Sequence, residues 1–308
     1  MWFKNLKLYR FTQDFRMDAE VLAEKLAEQP FKSCGKLEAS SYGFVAPIGG
    51  AGAPLVHSTN GCLLFATCRE ERLLPTAVIR ENAAEKIEAM EAERGSPIGR
   101  RERERMLDQV RFELLPRAFT RSQRTYGYID PVGKYLIVDA TSDARADDFT
   151  GTLQSALGAL HVAFPLTQER PASVMTEWVA RGTAPDDIEL GQEGELVLPG
   201  DGGAVARLRN QELESDEVHT HLQAGKEVVK IAVTYADRLR FILDDKLNVR
   251  RLKFLEVIKD EAGDIEADDA HSRMDADFSI VSLELRAFIE RLMEIFGGED
   301  LAAMGVEE

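Results

Sequence analysis

The chain has 308 residues, enough for two domains, and its 44% hydrophobic and 30% charged content is typical of a globular protein. Its best apolar run, residues 62–67, is far shorter than the ~20 residues of a membrane-spanning helix. Because Lys4, Lys7 and Arg10 interrupt the N-terminal segment, a secretory signal is excluded and a cytoplasmic protein is expected. Three cysteines without CxxC spacing favour neither a disulfide framework nor a zinc site, and we expect no metal and no cofactor.

The charge is unevenly distributed along the chain. The formal net charge is −16, which taken alone argues against a nucleic-acid partner. Residues 94–124, however, contain nine arginines and four acidic residues, and residues 240–253 carry a net charge of +3. The next stretch, residues 254–277, carries −7. A molecule polarised in this way can bind a polyanion on one surface while the rest repels it, and the alternative is an ordinary acidic protein with solvated helix faces.

The predicted elements mix strands and helices without a regular βαβ alternation, which indicates the α+β class with mainly antiparallel sheets. The chain is expected to begin with a strand over 2–11, a helix over 19–29 capped by Asp18, and a buried strand over 62–69. Two helices over 75–94 and 100–115 follow, and then a hairpin of 124–130 with 134–140. The remaining elements are helices over 144–159 and 173–181, a strand pair of 216–223 with 227–235, and a closing helix over 278–296.

These elements suggest four segments. Residues 1–74 form the first part of a central α+β region, 75–117 a projecting helical finger, 118–166 the second part of the central region, and 167–308 a second α+β region that ends in the long helix. In the finger, Met106, Leu107, Val110 and Leu114 form a narrow apolar stripe on the second helix, so its arginines face outwards.

Basic side chains are the candidate site, because guanidinium groups bind phosphate through two hydrogen bonds. The candidates for DNA contact are Arg94, Arg100, Arg101, Arg103, Arg105, Arg111, Arg117, Arg121, Arg124, Lys226, Lys230, Arg250, Arg251 and Lys253. For the finger the alternative is a salt-bridged, solvated face, and for Lys226 and Lys230 it is exposed lysines on an edge strand. Phe119, which lies among arginines, is a candidate interface plug or base wedge, or else a core anchor for its turn.

Sequence signatures of catalysis are missing. The glycine-rich run at 49–53 lacks a Walker pattern and predicts a surface loop. His219 and His221, on one face of a predicted strand, have no further ligand at metal spacing, and Asp275 and Asp277 are expected to cap the closing helix. A hydrolase or nuclease would need a carboxylate cluster for which no motif is present.

Seven short segments, in order along nearly the whole chain, resemble the RdgC family of recombination-associated proteins. They are MWFKNL at 1–6, LLPRAF at 114–119, VDATS at 138–142, TEWV at 176–179, AGKEVVKIAV at 224–233, RLKF at 251–254 and DADF at 275–278.

The resemblance implies a nucleoid-associated protein without enzymatic activity. It implies a ring-shaped homodimer that encircles duplex DNA, binds duplex and single-stranded DNA with little sequence preference, and restrains RecA-promoted recombination by competing for DNA. It also implies that the helical projections and the phenylalanine of LLPRAF, here Phe119, lie at the subunit contact that closes the ring. The alternative is an acidic interaction module that binds a recombination protein directly, without DNA.

Overall fold

The structure, a computed structural model, describes residues 2–50, 52–200, 202–263 and 269–306. Its helices are α1 (Ala19–Leu26), α2 (Thr76–Arg94), α3 (Arg100–Leu114), α4 (Asp143–Leu157), α5 (Pro171–Arg181), α6 (Asp216–Gln223), α7 (Glu256–Gly263) and α8 (Ala270–Ile295). Its strands are β1 (Lys7–Phe11), β2 (Ser40–Val45), β3 (Val56–Thr59), β4 (Cys62–Arg72), β5 (Thr120–Asp130), β6 (Tyr135–Val138), β7 (Val162–Ala163), β8 (Ile188–Val197), β9 (Val205–Arg209), β10 (Glu227–Tyr235), β11 (Leu239–Asp244) and β12 (Val249–Phe254).

The described strands form two mainly antiparallel sheets, so the predicted α+β class is confirmed. Across residues 2–50, 52–200, 202–263 and 269–306, no helix is long and apolar enough to cross a membrane. The chain divides into two compact units, of which the larger comprises Met1–Leu26, Ala46–Phe65 and Thr125–Glu308, and the smaller Ala27–Val45 and Ala66–Arg124.

In the larger unit, β6 pairs with both β5 and β1, β7 follows beyond β1, and β3 pairs with the first residues of β4. The second sheet lies wholly in this unit and has the strand order β12-β11-β10-β8-β9. The long helix α8 packs on this sheet: the ring of Phe288 lies 5.0 Å from that of Phe241, and both side chains are buried. The core is therefore shared between α8 and the apolar face of the second sheet.

In the smaller unit, β2 pairs with the second half of β4, and α2 and α3 pack against each other. Met106 and Val110 are buried at the α2–α3 contact with Ile79 and Ala83, and Leu107 and Leu114 are partly buried beside them. The predicted apolar stripe is thus confirmed. Gly95, in the left-handed conformation at φ 70°, ends α2 and allows the chain to turn into α3.

The predicted strand at 216–223 is wrong, because these residues form helix α6. Asp216 and Glu217 occupy its first turn, where acidic side chains are favoured by the helix dipole, and only Val218 is buried. His219 and His221 are therefore about 200° apart around a helix and do not share a strand face. The strand order places β10 between β11 and β8, so Lys230 lies on a central strand and not on an edge strand.

The two ends of the chain also differ from the prediction. The opening strand begins at Lys7, because Lys4 and Leu6 bond through their backbones to β12 instead. The closing helix begins at Ala270, and its cap is Asp269, whose carboxylate accepts a hydrogen bond from the Ser272 amide at 2.7 Å. Asp275 and Asp277 therefore lie inside α8 and do not cap it.

We expect Gly127→Ala to destabilise the fold, because a Cβ there would lie 2.5 Å from a ring carbon of the buried Phe149. The expected loss is about 2 kcal/mol in the free energy of unfolding measured with urea. Gly151→Ala is the matched control, since its Cβ meets nothing within 4 Å and lies in α4, where alanine should add about 0.5–1 kcal/mol. Equal stability of the two variants would contradict the packing described here.

Candidate nucleic-acid interface

The second sheet separates apolar from charged side chains by the alternation of its strands. Ile231, Phe241 and Leu252 are buried on the face that contacts the core, as are Val233, Leu243 and Phe254, each two residues further along its strand. Successive side chains of a strand point to opposite faces, so the intervening positions face away from the core. Lys230 and Arg240 occupy such positions, and the open face of the sheet is consequently polar and rich in cations.

A β-bulge in β12 adds a second arginine to this face. Ile242 pairs with Arg250 and Arg240 pairs with Lys253, so β12 has one residue more than β11 in this stretch. Arg251 takes a positive φ of 52° at the bulge. Bulges redirect side chains, and here both Arg250 and Arg251 line the same groove although they are consecutive in sequence.

The groove on the open face has a volume of about 430 Å³. We call it the basic groove. Its charged lining consists of Arg207, Arg209, Lys230, Arg250 and Arg251 together with Glu193 and Glu195, a net charge of +3. Asn5 forms part of its wall and is held by Asp139, whose carboxylate accepts hydrogen bonds from the Asn5 amide and side chain at 2.9 and 3.3 Å. The groove is a local positive surface on an acidic chain.

Carboxylates inside the basic groove bind most of its cations. Glu195 bridges two strands, with its oxygens 3.0 Å from the Lys230 ammonium and 2.9 Å from Nε of Arg207. Glu193 lies 2.9 Å from Arg251. In the described part of the chain, Arg209 has no carboxylate within ion-pair distance. The groove is thus preorganised for oxyanions, because its guanidinium and ammonium groups are already oriented around carboxylate oxygens.

Glu195 stays ionised at neutral pH. Burial raises its pKa, but the hydrogen bonds from Lys230 and Arg207 outweigh burial, and the pKa lies below its usual range. An incoming phosphate must therefore compete with a full negative charge at this point.

Arg250 has a second anchor beneath the groove. Its Nε lies 3.5 Å from the buried carboxylate of Asp244, which also accepts two hydrogen bonds at 3.0 Å from the side chain of Asn248. The contact to Asp244 is too long for a good hydrogen bond, and the buried Nε of Arg250 has no hydrogen-bond partner in the described part of the structure.

The basic groove contains only some of the predicted basic residues from this unit. Lys230, Arg250 and Arg251 line it, and Lys253 is exposed further along β12. Lys226 is not part of the groove, and its ammonium lies 2.9 Å from Nδ1 of His221. Arg207 and Arg209 were missed by the sequence analysis. The alternation VARLR over 205–209, with a cation at every second position of a strand, is the signal that could have identified them.

The arginines of the α2–α3 hairpin fall into a paired and an unpaired group. Four have a carboxylate partner: Arg94 with Glu102 at 2.8 Å, Arg100 with Glu104 at 3.0 Å, Arg103 with Glu91 at 3.8 Å and Arg111 with Asp108 at 3.6 Å. Arg101 and Arg105 are exposed and have no such partner among the described residues. The paired group fits the salt-bridged alternative, and the unpaired group keeps its charge available.

The segment that follows α3 presents three basic side chains and one aromatic ring. Arg121 pairs with Glu71, whereas Arg117 and Arg124 are exposed without a carboxylate partner in the part of the chain that the structure describes. The backbone oxygen of Phe119 accepts a hydrogen bond of 2.7 Å from the Leu73 amide, and the Phe119 side chain is 84% exposed. Phe119 is therefore not a core anchor of its own chain, and its ring is available for a partner.

Potential metal ligands do not form a site in the described residues, where no group of three or more His, Cys, Asp or Glu side chains could hold an ion. His57 forms a hydrogen-bonded pair with a carboxylate: its Nε2 lies 2.7 Å from Asp275, and the Thr59 hydroxyl donates to the same carboxylate oxygen at 2.7 Å. These contacts join β3 to α8.

Comparison with known proteins identifies the family. A family model described as "Putative exonuclease, RdgC" matches residues 1–299. A protein of Halorhodospira halophila named "Recombination-associated protein RdgC" is 46% identical over 299 residues, which cover 97% of this chain and 99% of the relative. Proteins of the same name from Tolumonas auensis and Aeromonas hydrophila are 40% and 38% identical, again over 97% of this chain and 99% of each relative. A match of this extent confirms the resemblance carried by the seven short segments, and the chain belongs to the RdgC family of recombination-associated proteins.

Proposed function

We propose that this protein binds DNA without sequence preference, with the basic groove as its duplex-binding surface, and that it acts by binding and not by catalysis. The observation that carries the proposal is the groove itself: a chain of net charge −16 concentrates five cations on the open face of one sheet. Membership of a recombination-associated family supports DNA as the polyanion.

The chemistry of the groove favours the phosphate backbone over base edges. Arginine and lysine bind phosphate oxygens, which carry no sequence information, and binding releases counterions from the DNA. As a phosphate enters, it replaces Glu195 or Glu193 as the partner of a cation, and the carboxylate becomes solvated. The binding free energy is therefore the difference between the free energies of the cation–phosphate pair and of the cation–carboxylate pair. We expect this affinity to depend steeply on salt.

The finer features of the proposal follow from the resemblance. Two copies form a ring-shaped homodimer that encircles duplex DNA, the hairpin projects as a finger, and Phe119 lies at the closing contact. The protein also binds single-stranded DNA and restrains RecA-promoted recombination, because DNA that it covers is not accessible to RecA. Its place is the cytoplasm, on the nucleoid.

The residues proposed to contact phosphates are those of the basic groove together with four exposed arginines of α3 and of the segment that follows it, none of which has a carboxylate partner among the described residues. The second set comprises Arg101, Arg105, Arg117 and Arg124. The paired arginines Arg94, Arg100, Arg103, Arg111 and Arg121 are proposed as weaker contributors, since a paired cation must first give up its carboxylate. Lys226 and Lys253, which lie outside the basic groove, are proposed as peripheral contacts.

Two other functions have specific support. The description of the family model names an exonuclease, which predicts metal-dependent loss of nucleotides from DNA ends. The ion pairs of the hairpin fit the interaction module that binds a recombination protein without DNA. Incubation of labelled duplex with Mg²⁺ or Mn²⁺ tests the first, and binding of duplex at low salt tests the second.

Replacing Arg207 and Arg209 by alanine should weaken duplex binding at every sequence tested. Each lost phosphate contact lowers the slope of log affinity against log salt by about 0.9, so a slope reduction of about 2 is expected by fluorescence anisotropy. The double variant Arg145→Ala with Arg181→Ala removes the same charge from outside the groove and should leave the slope unchanged. An equal effect of both double variants would contradict a duplex site in the groove.

Glu195→Gln should tighten duplex binding, because it releases Lys230 and Arg207 from their shared carboxylate. We expect the salt slope to become steeper by about one contact. Glu189→Gln removes the same charge from the same strand without breaking a described ion pair, and should change affinity less. If both variants gain the same duplex affinity, the gain comes from the change in net charge and not from the loss of the ion pairs of Glu195.

Phe119→Ala should weaken the dimer, because the exposed ring contributes apolar area at the proposed contact and little to the core of its own chain. Sedimentation equilibrium should show a dissociation constant raised about tenfold or more. Leu37→Ala, at another exposed apolar residue of the same unit, is the control. Unchanged dimerisation together with unchanged retention on circular DNA would remove Phe119 from the contact.

A further inference from the structure

The outer side of α3 carries a stripe of side chains that the packing of the hairpin does not use. Arg101, Arg105, Asp108 and Phe112 follow one another at intervals of four, three and four residues and therefore share one face of the helix. Met106 and Val110, which pack against α2, lie on the opposite side. We call the four residues the outer stripe.

Phe112 lies in the last turn of α3. Its side chain is 58% exposed, and the side chains that form the described hairpin core do not include it. Proteins that bind single-stranded nucleic acid combine cations that follow the backbone with aromatic rings on which bases stack.

The charges of the outer stripe suit an anionic ligand. Neither Arg101 nor Arg105 has a carboxylate partner within the described residues, whereas Arg100 and Arg103 on other faces of α3, and Arg94 on α2, are paired. Asp108, the acid of the stripe, lies 3.6 Å from Arg111. The two unpaired arginines are about 6 Å apart along the helix axis, so both can reach one nucleic-acid backbone.

We propose that the outer stripe is a binding site for single-stranded DNA, in which Phe112 stacks on an unpaired base while Arg101 and Arg105 bind phosphates. This inference rests on the proposed function, that the chain binds DNA. Single strands are favoured over duplex because the faces of duplex bases are already covered by their neighbours, whereas an unpaired base offers its face to an aromatic ring. The site is distinct from the basic groove, which has no aromatic side chain in its lining.

The test compares the full-length protein with its variants on two labelled DNAs, an oligothymidylate of about 30 nucleotides and a duplex of the same length. Phe112→Leu keeps an apolar helix-forming residue but removes the ring, and should weaken oligothymidylate binding about fivefold or more. Its duplex affinity should stay within about twofold of that of the unmodified chain. Arg101→Gln with Arg105→Gln should lower the single-strand salt slope by about 1.4.

Two further variants sharpen the result. Arg100→Gln removes a cation of the same helix that is already paired with Glu104. This substitution should change the single-strand salt slope less than Arg101→Gln or Arg105→Gln does. Phe112→Trp keeps an aromatic ring and should bind oligothymidylate about as tightly as the unmodified chain does. Oligothymidylate should quench the fluorescence of this variant more than that of the unmodified chain, whose tryptophans are Trp2 and Trp178.

Three results would overturn the proposal. Equal losses on both DNAs would make the outer stripe a general electrostatic surface, and no loss for Phe112→Leu would exclude stacking. A change in the mass of the oligomer without a change in DNA affinity would assign the stripe to a protein contact. In each case duplex binding by the unmodified chain shows whether the proposed function itself holds; if that chain binds neither DNA, both proposals fail.

Discussion

The packing of α8 on one face of the second sheet is the constraint on which the basic groove depends. Phe288 lies against Phe241 and Tyr235, and this contact commits the apolar positions of β10 and β11 to the core. Since strands alternate, the remaining positions must face away from the core, and there the chain places cations. The burial of apolar side chains beneath α8 thus also determines the direction of Lys230 and Arg240.

The acidic composition of the chain and its basic groove are compatible because electrostatic interactions act over short distances. At physiological salt the screening length is about 8 Å, so a phosphate in the groove interacts with the nearest charges far more than with the net charge. The nearest charges include Glu193 and Glu195, which hold the cations in place and compete with the ligand. For the proposed DNA binding, such an arrangement predicts moderate affinity and a steep dependence on salt.

The sequence predicts the classes of its elements better than the positions of its side chains. The helices of the hairpin are found at Thr76–Arg94 and Arg100–Leu114, close to the expected bounds, because Pro75, the breaks at Gly95 and Gly99, and Pro116 delimit two runs of helix-forming residues. The position of 216–223 before a clear strand and a turn predicts a hairpin strand, but the acidic residues at the start of this segment favour the helix that is observed.

The groove was harder to predict than the fold. Alternation alone would send Arg250 and Arg251 to opposite faces, and only the bulge in β12 brings both into the groove. Arg207 and Arg209 are distant in sequence from both basic clusters and reach the groove through the pairing of β9 with β8. Strand order is a non-local property, and local charge counting could not supply it.

The most direct test of the central claim is a map of which lysines duplex DNA protects from acetylation, read by mass spectrometry on the intact protein. Lys230 lies in the basic groove and Lys253 on the same face of β12, whereas Lys259 lies on α7 beside Glu256. The account predicts that duplex lowers the reactivity of Lys230 and Lys253 and leaves Lys259 unchanged. Bound duplex that protects Lys259 as well as it protects Lys230, or that protects neither Lys230 nor Lys253, would contradict the assignment of the groove.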